Sequence, residues 1–186
     1  MMSHPIDRKA LEEAINQARA GNDAEFATLY KYYYPQVCKH LIRMVGSYED
    51  GHNLCQDSFL KAWRAIRGKA ESQFRGNTEP EFRSWLYRIA TNTANDYLRV
   101  PRPEDRLNGS REHPTGLGSV EDKDFINRAL AELPEQERRC LLLSVDAGFR
   151  QCEIAKLLRI SKGRVSQILT KAREHFRQAY RYLNEI

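Results

Sequence analysis

Apolar side chains recur three and four positions apart along almost the whole chain. In the segment 7–20 these side chains are Leu11, Ala14, Ile15 and Ala18. Such spacing places them on one face of an α-helix, whereas a half-buried strand requires strict alternation. Val, Ile and Thr do not cluster in alternating runs anywhere in the sequence. The pattern predicts an all-α fold.

Glycines, capping residues and the apolar spacing together set the expected ends of the helices. Four helices are predicted before residue 100 and three or four after it, near 7–20, 22–45, 50–66, 81–99, 123–132, 135–147, 151–158 and 162–183. Pro35 is predicted to kink or restart the second of these, because proline lacks the N–H that an internal helical turn needs.

The composition changes abruptly after residue 99. Residues 100–122 concentrate three prolines and three glycines among few apolar residues. This composition is typical of a flexible linker. The chain is therefore expected to form two small helical domains, 1–100 and 125–186, joined by a flexible linker over 101–124.

Basic residues are concentrated in the C-terminal domain. The whole chain carries a formal net charge of +5, and residues 125–186 hold 12 basic and 7 acidic residues, with nine arginines among the basic ones. Arginine suits phosphate and guanine because its planar guanidinium donates two hydrogen bonds at once. Many helical domains are basic, so a positive charge indicates nucleic-acid binding only when a binding motif accompanies it.

Residues 151–173, QCEIAKLLRISKGRVSQILTKAR, supply that motif. A short helix, a turn and a second helix capped by Ser161 form a helix-turn-helix, whose second helix can enter the major groove. The inner face of that helix is predicted to be Val165, Ile168, Leu169 and Ala172. The candidate DNA contacts on its outer face are Lys162, Arg164, Ser166, Gln167, Thr170, Lys171 and Arg173. The alternative is an ordinary helical hairpin with a solvated basic face.

Three stretches of this sequence resemble the extracytoplasmic-function sigma factors of bacterial RNA polymerase. Residues 133–174, LPEQERRCLLLSVDAGFRQCEIAKLLRISKGRVSQILTKARE, are similar to region four of that family. LCQDSFLKAWRAI followed by FRSWLYRIATNTANDYLR is similar to region two. The resemblance covers about 22–99 and 125–177, in the family's order and at its separation. It implies that the C-terminal helix-turn-helix contacts the promoter −35 element.

The resemblance also implies that region two holds the melted −10 element. Aromatic rings and cations suit a single strand, because bases stack on rings and the backbone is anionic. The implied −10 contacts are Trp85, Tyr87, Arg88, Asn92, Asn95, Asp96 and Arg99, and the loop 67–80 is implied to capture a flipped base. The alternatives are a buried core tryptophan at Trp85 and a solvated helix face at Asn92 and Asn95.

The third helix has a different implied role, which is docking on the clamp helices of the polymerase's largest subunit. The candidate contacts form a stripe at helical spacing: Asn53, Gln56, Asp57, Leu60 and Lys61. The family usually has acidic residues where this chain has His52 and Asn53. Residues 141–147 are implied to support docking on the polymerase flap, with plain core packing as the alternative.

Two other classes of protein remain open at this point. A conventional helix-turn-helix regulator would use residues 1–100 as a sensor or dimerisation domain. An enzyme is not expected, because HExxH, GxSxG, GxxxxGK[ST] and GxGxxG are all absent. The preferred interpretation is a non-enzymatic initiation factor that directs core RNA polymerase to specific promoters.

No cofactor and no metal site are expected. His52 and Cys55 stand three apart, but no second ligand pair follows them. Neither a 20-residue apolar run nor a signal-peptide h-region is visible, so we expect a cytoplasmic protein with reduced cysteines and no membrane insertion. The expected partners are core RNA polymerase, promoter DNA and an anti-sigma factor, and the free chain is expected to be a monomer.

Overall fold

The structure, a computed structural model, describes residues 7–68, 73–100 and 121–184, with side chains in the last segment from residue 125 onward. Within these ranges every regular element is an α-helix, which confirms the predicted all-α class. The helices are α1 (Arg8–Arg19), α2 (Asp23–Val45), α3 (Tyr48–Ile66), α4 (Glu79–Arg99), α5 (Glu121–Ala131), α6 (Glu135–Val145), α7 (Gln151–Leu158) and α8 (Lys162–Asn184).

Most helix ends lie within two residues of the predicted ones, because local capping sets them. Ser47 accepts a hydrogen bond from the Asp50 backbone N–H at 3.2 Å, so α3 begins two residues earlier than expected. Likewise α5 begins at Glu121, inside the segment predicted as linker. The remainder of that linker, 101–120, lies outside the described residues.

Pro35 does not restart α2, which runs from Asp23 to Val45 without interruption. That part of the prediction is wrong. Proline removes one backbone hydrogen bond, but Tyr33 and Val37 on either side of it are almost fully buried. Most helical stability in proteins comes from tertiary packing of an apolar face, and here that packing outweighs the lost bond.

The helices form two lobes, which we call the N-lobe (α1–α4) and the C-lobe (α5–α8). The N-lobe core is built on side chains that are fully buried, among them Ile15, Leu29, Leu41, Phe82 and Leu86. Leu143, Ile154 and Leu169 play the same part in the C-lobe. Among the described helices, none is long and apolar enough to cross a membrane.

The two lobes pack directly against each other. Asp146 at the end of α6 accepts a hydrogen bond from the Arg43 guanidinium of α2 at 2.5 Å, and Lys39 lies 3.4 Å from the same oxygen. Arg83 of α4 donates to the Ala147 carbonyl oxygen at 2.5 Å. Its guanidinium also lies 4.3 Å from the centre of the Phe149 ring. A few side chains therefore join residues more than 60 positions apart.

Gly51 lets α3 approach α2 closely. A Cβ atom placed at Gly51 would lie 2.6 Å from the Ile42 Cα atom, which is far inside van der Waals contact. Gly163, on the exposed face of α8, is a matched control because an added Cβ meets no atom within 4 Å.

We expect Gly51→Ala to destabilise the protein by about 1–3 kcal/mol, because the α2 backbone must move to admit the methyl group. Gly163→Ala should instead stabilise it by about 0.5 kcal/mol through the helix propensity of alanine. Urea unfolding of both variants measures this. Equal effects at the two positions would show that the α2–α3 approach is not tight.

His40 on α2 is fully buried, with its ring against Tyr87. Burial lowers the pKa of His40 from 6.5 to about 4. Because the folded pKa lies below the unfolded one, the unfolded chain binds the extra proton. The contribution of His40 to stability is therefore complete above pH 6.5 and is lost as the pH falls towards 4.

We expect the wild-type protein to lose about 3 kcal/mol more unfolding free energy between pH 7.5 and 4 than His40→Leu does. Urea titrations at several pH values measure the difference. Parallel pH curves for the two proteins would contradict a neutral, buried His40.

Candidate nucleic-acid and polymerase interface

The turn between α7 and α8 orients the second helix of the helix-turn-helix. Arg159 adopts a left-handed conformation with φ of 56° at the end of α7, and the Ile160 N–H donates to the Ala155 carbonyl oxygen. Ser161 then accepts a hydrogen bond from the Arg164 N–H at 3.1 Å. This serine caps the first turn of α8, as the sequence predicts.

The inner face of α8 is buried as expected, with Val165, Ile168, Leu169 and Ala172 all in the core. The outer face carries the predicted −35 contacts, every one of which is exposed: Lys162, Arg164, Ser166, Gln167, Thr170, Lys171 and Arg173. Thr170 donates its hydroxyl proton to the Ser166 carbonyl oxygen, 3.0 Å away. The outer face therefore presents cations and amide or hydroxyl groups, which are the chemistry that phosphates and base edges require.

A second polar stripe runs along α4. Arg88, Asn92, Asp96 and Arg99 are exposed and stand four, four and three positions apart, so they share one face of the helix. Asn95 is only half exposed, and its side-chain oxygen is buried without a hydrogen-bond partner among the described residues. In this conformation that oxygen is enclosed by the protein and is not accessible to solvent.

Trp85 and Tyr87 do not join this stripe. Trp85 is 5% exposed and packs against the rings of Phe74 and Phe82. Tyr87 is 1% exposed, and Phe149 of the C-lobe meets its ring edge-on at 5.2 Å. Burial raises the pKa of Tyr87 to about 12. In this conformation neither ring has an open face for base stacking, which supports the core alternative for Trp85.

The loop before α4 is held in place by several hydrogen bonds. Arg19 of α1 donates to the Gly76 carbonyl oxygen at 2.9 Å. The Glu81 carboxylate accepts hydrogen bonds from the Asn77 and Thr78 backbone N–H groups and from the Thr78 hydroxyl. These bonds lower the pKa of Glu81. Residues 69–72 of the predicted base-capturing loop lie outside the described residues.

The candidate polymerase-docking stripe lies on the outer face of α3. All five of its members are exposed: Asn53, Gln56, Asp57, Leu60 and Lys61. Leu60 is the large apolar side chain among them, at 45% exposure. Lys61 donates a hydrogen bond to the Thr93 hydroxyl of α4 at 3.0 Å, which joins this stripe to the helix that carries the second polar face.

An open groove of about 260 Å³ lies between α5, α6 and α8, with α2 at one side. We call it the flap groove, after the docking role implied for residues 141–147. Its apolar lining consists of Ile126, Leu130, Leu141, Leu142, Val145 and Phe176. Arg43, Arg173 and Arg177 line the same groove, together with Asp146, whose carboxylate pairs with Arg43. Such a groove suits an amphipathic helix with acidic side chains at its edge.

His52, Cys38 and Cys55 belong to a packed cluster between α2 and α3. The Tyr34 hydroxyl lies 2.9 Å from His52 Nδ1, and the Cys38 Sγ atom lies 3.5 Å from the same nitrogen. Burial raises the pKa of both Cys38 and Cys55, which keeps them as neutral thiols. Within the described residues, no group of three or more ligating side chains is arranged to hold a metal ion.

Two family models match the chain. The model described as Sigma-70 region 2 matches residues 29–102, and that described as Sigma-70, region 4 matches residues 129–178. The ECF RNA polymerase sigma-E factor of Haemophilus influenzae is 31% identical over 190 residues, which cover 93% of this chain and 95% of that protein. The chain belongs to the extracytoplasmic-function sigma factors.

Other similarities agree with this family. The ECF RNA polymerase sigma factor SigW of Bacillus subtilis is 25% identical over 93% of this chain and 98% of that protein. The fold is similar to that of the sigma factor RpoE from Bartonella quintana, solved in complex with the anti-sigma factor NepR. That match has a TM-score of 0.69 at 18% identity and covers 84% of this chain and 97% of the other.

Membership in this family makes the chain an alternative sigma factor for transcription initiation, which binds core RNA polymerase and promoter DNA. The predicted family and function are thereby confirmed. A helix-turn-helix regulator with an N-terminal sensor does not account for the region 2 match over 29–102.

Sequence reasoning missed the contacts between the lobes at Arg43, Arg83 and Asp146. Nothing in the local pattern marks them, because their partners lie 64 and 103 positions away in the chain.

Proposed function

We propose that this sigma factor reads promoters with two helices, α4 at the −10 element and α8 at the −35 element. The observation that carries the proposal is the pair of exposed polar stripes, each backed by a buried apolar face. On α8 the stripe is Lys162, Arg164, Ser166, Gln167, Thr170, Lys171 and Arg173. On α4 it is Arg88, Asn92, Asp96 and Arg99, with Asn95 beside it.

The two helices suit different forms of DNA. The face of α8 has the shape and donors for a major groove, where arginine and glutamine read base edges. The stripe on α4 joins two arginines to amide groups on a rigid helix, which suits the backbone and base edges of a melted strand. We assign residues 1–100 to the −10 unit, 101–124 to the linker and 125–186 to the −35 unit.

Polymerase docking is assigned to two separate surfaces. The exposed stripe on α3, with Leu60 at its centre, suits a helical partner such as the clamp helices. The flap groove of the C-lobe offers an apolar floor with three arginines and Asp146 around it. Within the polymerase complex this chain supplies promoter specificity and no catalysis of its own, and it acts in the cytoplasm.

An anti-sigma factor is proposed as the regulator of this chain. A sigma factor of the same fold has been solved with such a partner, NepR. A partner of this kind would act by covering the α3 stripe and the flap groove, since both are exposed in the free chain. The free chain is proposed to be a monomer, because two unlike domains read two unlike promoter elements.

The proposed function is tested by gel filtration with bacterial core RNA polymerase, followed by run-off transcription from a promoter library. Co-elution with selective initiation supports it. Asn95→Ala should co-elute like the wild type but open promoters poorly, because it removes an amide that lies beside the exposed polar stripe of α4. Equal loss of co-elution and promoter opening would make Asn95 a structural residue.

Replacing Arg164 or Gln167 by alanine should weaken −35 recognition by about 1–3 kcal/mol if that side chain reads a base edge. Both residues are exposed, so neither variant should change unfolding in urea. The measurement is transcription from promoters carrying every single-base change in the −35 element. Arg181→Ala, an exposed arginine two turns beyond the motif, is the control. An unchanged base preference would remove the residue from the set that reads bases.

A further inference from the structure

The first helix is hydrogen-bonded to the loop 73–78, which leads into α4. The Arg19 guanidinium, in the last turn of α1, donates a hydrogen bond of 2.9 Å to the Gly76 carbonyl oxygen. The Glu12 carboxylate, two turns earlier on α1, accepts a hydrogen bond from the Glu79 backbone N–H at 3.3 Å. That N–H belongs to the first turn of α4, where backbone donors have no partner within their own helix. Helix α1 therefore holds both the loop and the start of α4.

The inner side of this loop is packed against α4 without free space. Phe74 is 4% exposed, and its ring lies against those of Phe82 and Trp85. A Cβ atom placed at Gly76 would lie 2.8 Å from the Phe74 Cζ atom and 2.9 Å from the Glu81 Cβ atom. The loop backbone is therefore fixed on one side by the core and on the other by the hydrogen bond from α1.

The outer side of the same loop is polar. Gln73, Arg75 and Asn77 are exposed, and they alternate with residues that are buried or half-buried. An arginine and two amides are groups that hydrogen-bond to phosphates and to base edges. Binding by such side chains costs less entropy when the backbone that carries them is already held in place.

The hydrogen bond from Arg19 is well placed to hold the loop without carrying the fold. Helix α1 is anchored independently in the N-lobe core by Leu11, Ile15 and Ala18, which are buried. Arg19 itself is exposed, and a cation at the C-terminal end of a helix is favoured by the helix dipole. Removal of this one exposed bond should therefore change the loop more than it changes global stability.

We propose that Arg19 is a positioning residue for the −10 strand, because its bond to the Gly76 carbonyl group holds the loop that presents the three outward polar side chains. The proposal rests on the proposed function, which places the melted −10 strand on the N-lobe. It gives α1 a part in promoter opening, although the region 2 family match begins only at residue 29.

The first experiment measures amide hydrogen exchange of the free chain by mass spectrometry. In Arg19→Ala, exchange over residues 73–79 should rise about fivefold, which is the factor expected for one lost hydrogen bond. Arg19→Lys should stay close to the wild type, because an ammonium group can still donate to the Gly76 carbonyl oxygen. Exchange over α8 should be the same in all variants, and urea unfolding establishes that each one folds.

Lys9→Ala is the matched control. It removes the same charge from the same helix, and Lys9 is exposed with no side-chain hydrogen bond to the loop among the described residues. This control should leave exchange in the loop unchanged. Unchanged loop exchange in Arg19→Ala, or an equal rise in Lys9→Ala, would overturn the proposal.

The second experiment measures binding of the polymerase complex to a single-stranded oligonucleotide that carries the −10 sequence selected from the promoter library. Arg19→Ala should bind it about fivefold more weakly, with unchanged co-elution with polymerase and an unchanged slope of affinity against salt. Arg19→Lys should restore binding. A slope reduced by about one in Arg19→Ala would instead make Arg19 a direct phosphate contact and would overturn the positioning role.

Gly76→Ala tests the loop from its other side, because the added methyl group must displace the backbone while Arg19 is left intact. It should also weaken binding of the oligonucleotide, and unchanged binding would show that the loop takes no part. Failure of the wild-type chain to co-elute with polymerase would remove the proposed function. The exchange experiment on the free chain would still decide whether Arg19 holds the loop.

Discussion

Burial of one apolar face on each working helix is the constraint on which the rest of the structure depends. Val165, Ile168, Leu169 and Ala172 must face the C-lobe core, and this leaves Arg164 and Gln167 on the opposite side of α8. In the same way Leu86, Ala90 and Ala94 draw α4 into the N-lobe core and turn Asn92 and Asp96 outward. The hydrophobic effect buries the apolar face of each helix, and the polar side chains on the opposite face are thereby directed towards solvent.

Close packing between α2 and its neighbours links this arrangement to the contact between the lobes. Gly51 allows α3 to lie against the backbone of Ile42, one residue before Arg43. Arg43 then meets Asp146 from the other lobe, with the buried His40 one turn earlier on the same helix. α2 therefore both packs in the N-lobe core and contacts the C-lobe. Protein interiors are packed to near-crystalline density. A small movement of α2 would therefore alter both its contact with α3 at Gly51 and its contact with the C-lobe at Asp146.

The helices, their order and the helix-turn-helix could be predicted from the sequence because each depends on neighbours three or four positions away. Ser161 caps α8 as its position before the apolar run predicts, and the outward set on α8 follows from the period alone. Prediction was weaker for aromatic residues. An aromatic residue on an amphipathic helix can either pack in the core or stack on a base. The local sequence therefore did not indicate that Trp85 and Tyr87 are buried. The predicted restart at Pro35 was wrong for a similar reason: the lost hydrogen bond is a local cost, whereas the packing that offsets it involves residues distant in the sequence.

The sequence by itself determined the all-α class, the family, and the side chains that α8 presents to solvent. Those properties follow from periodicity, capping chemistry and motif spacing, all of which are written within short stretches of chain. Only the tertiary structure decided that Tyr87 lies under Phe149, that Asp146 pairs with Arg43, and that an arginine-lined groove opens between α5, α6 and α8. Those contacts join residues far apart in the sequence, and their energies depend on geometry that no local pattern encodes.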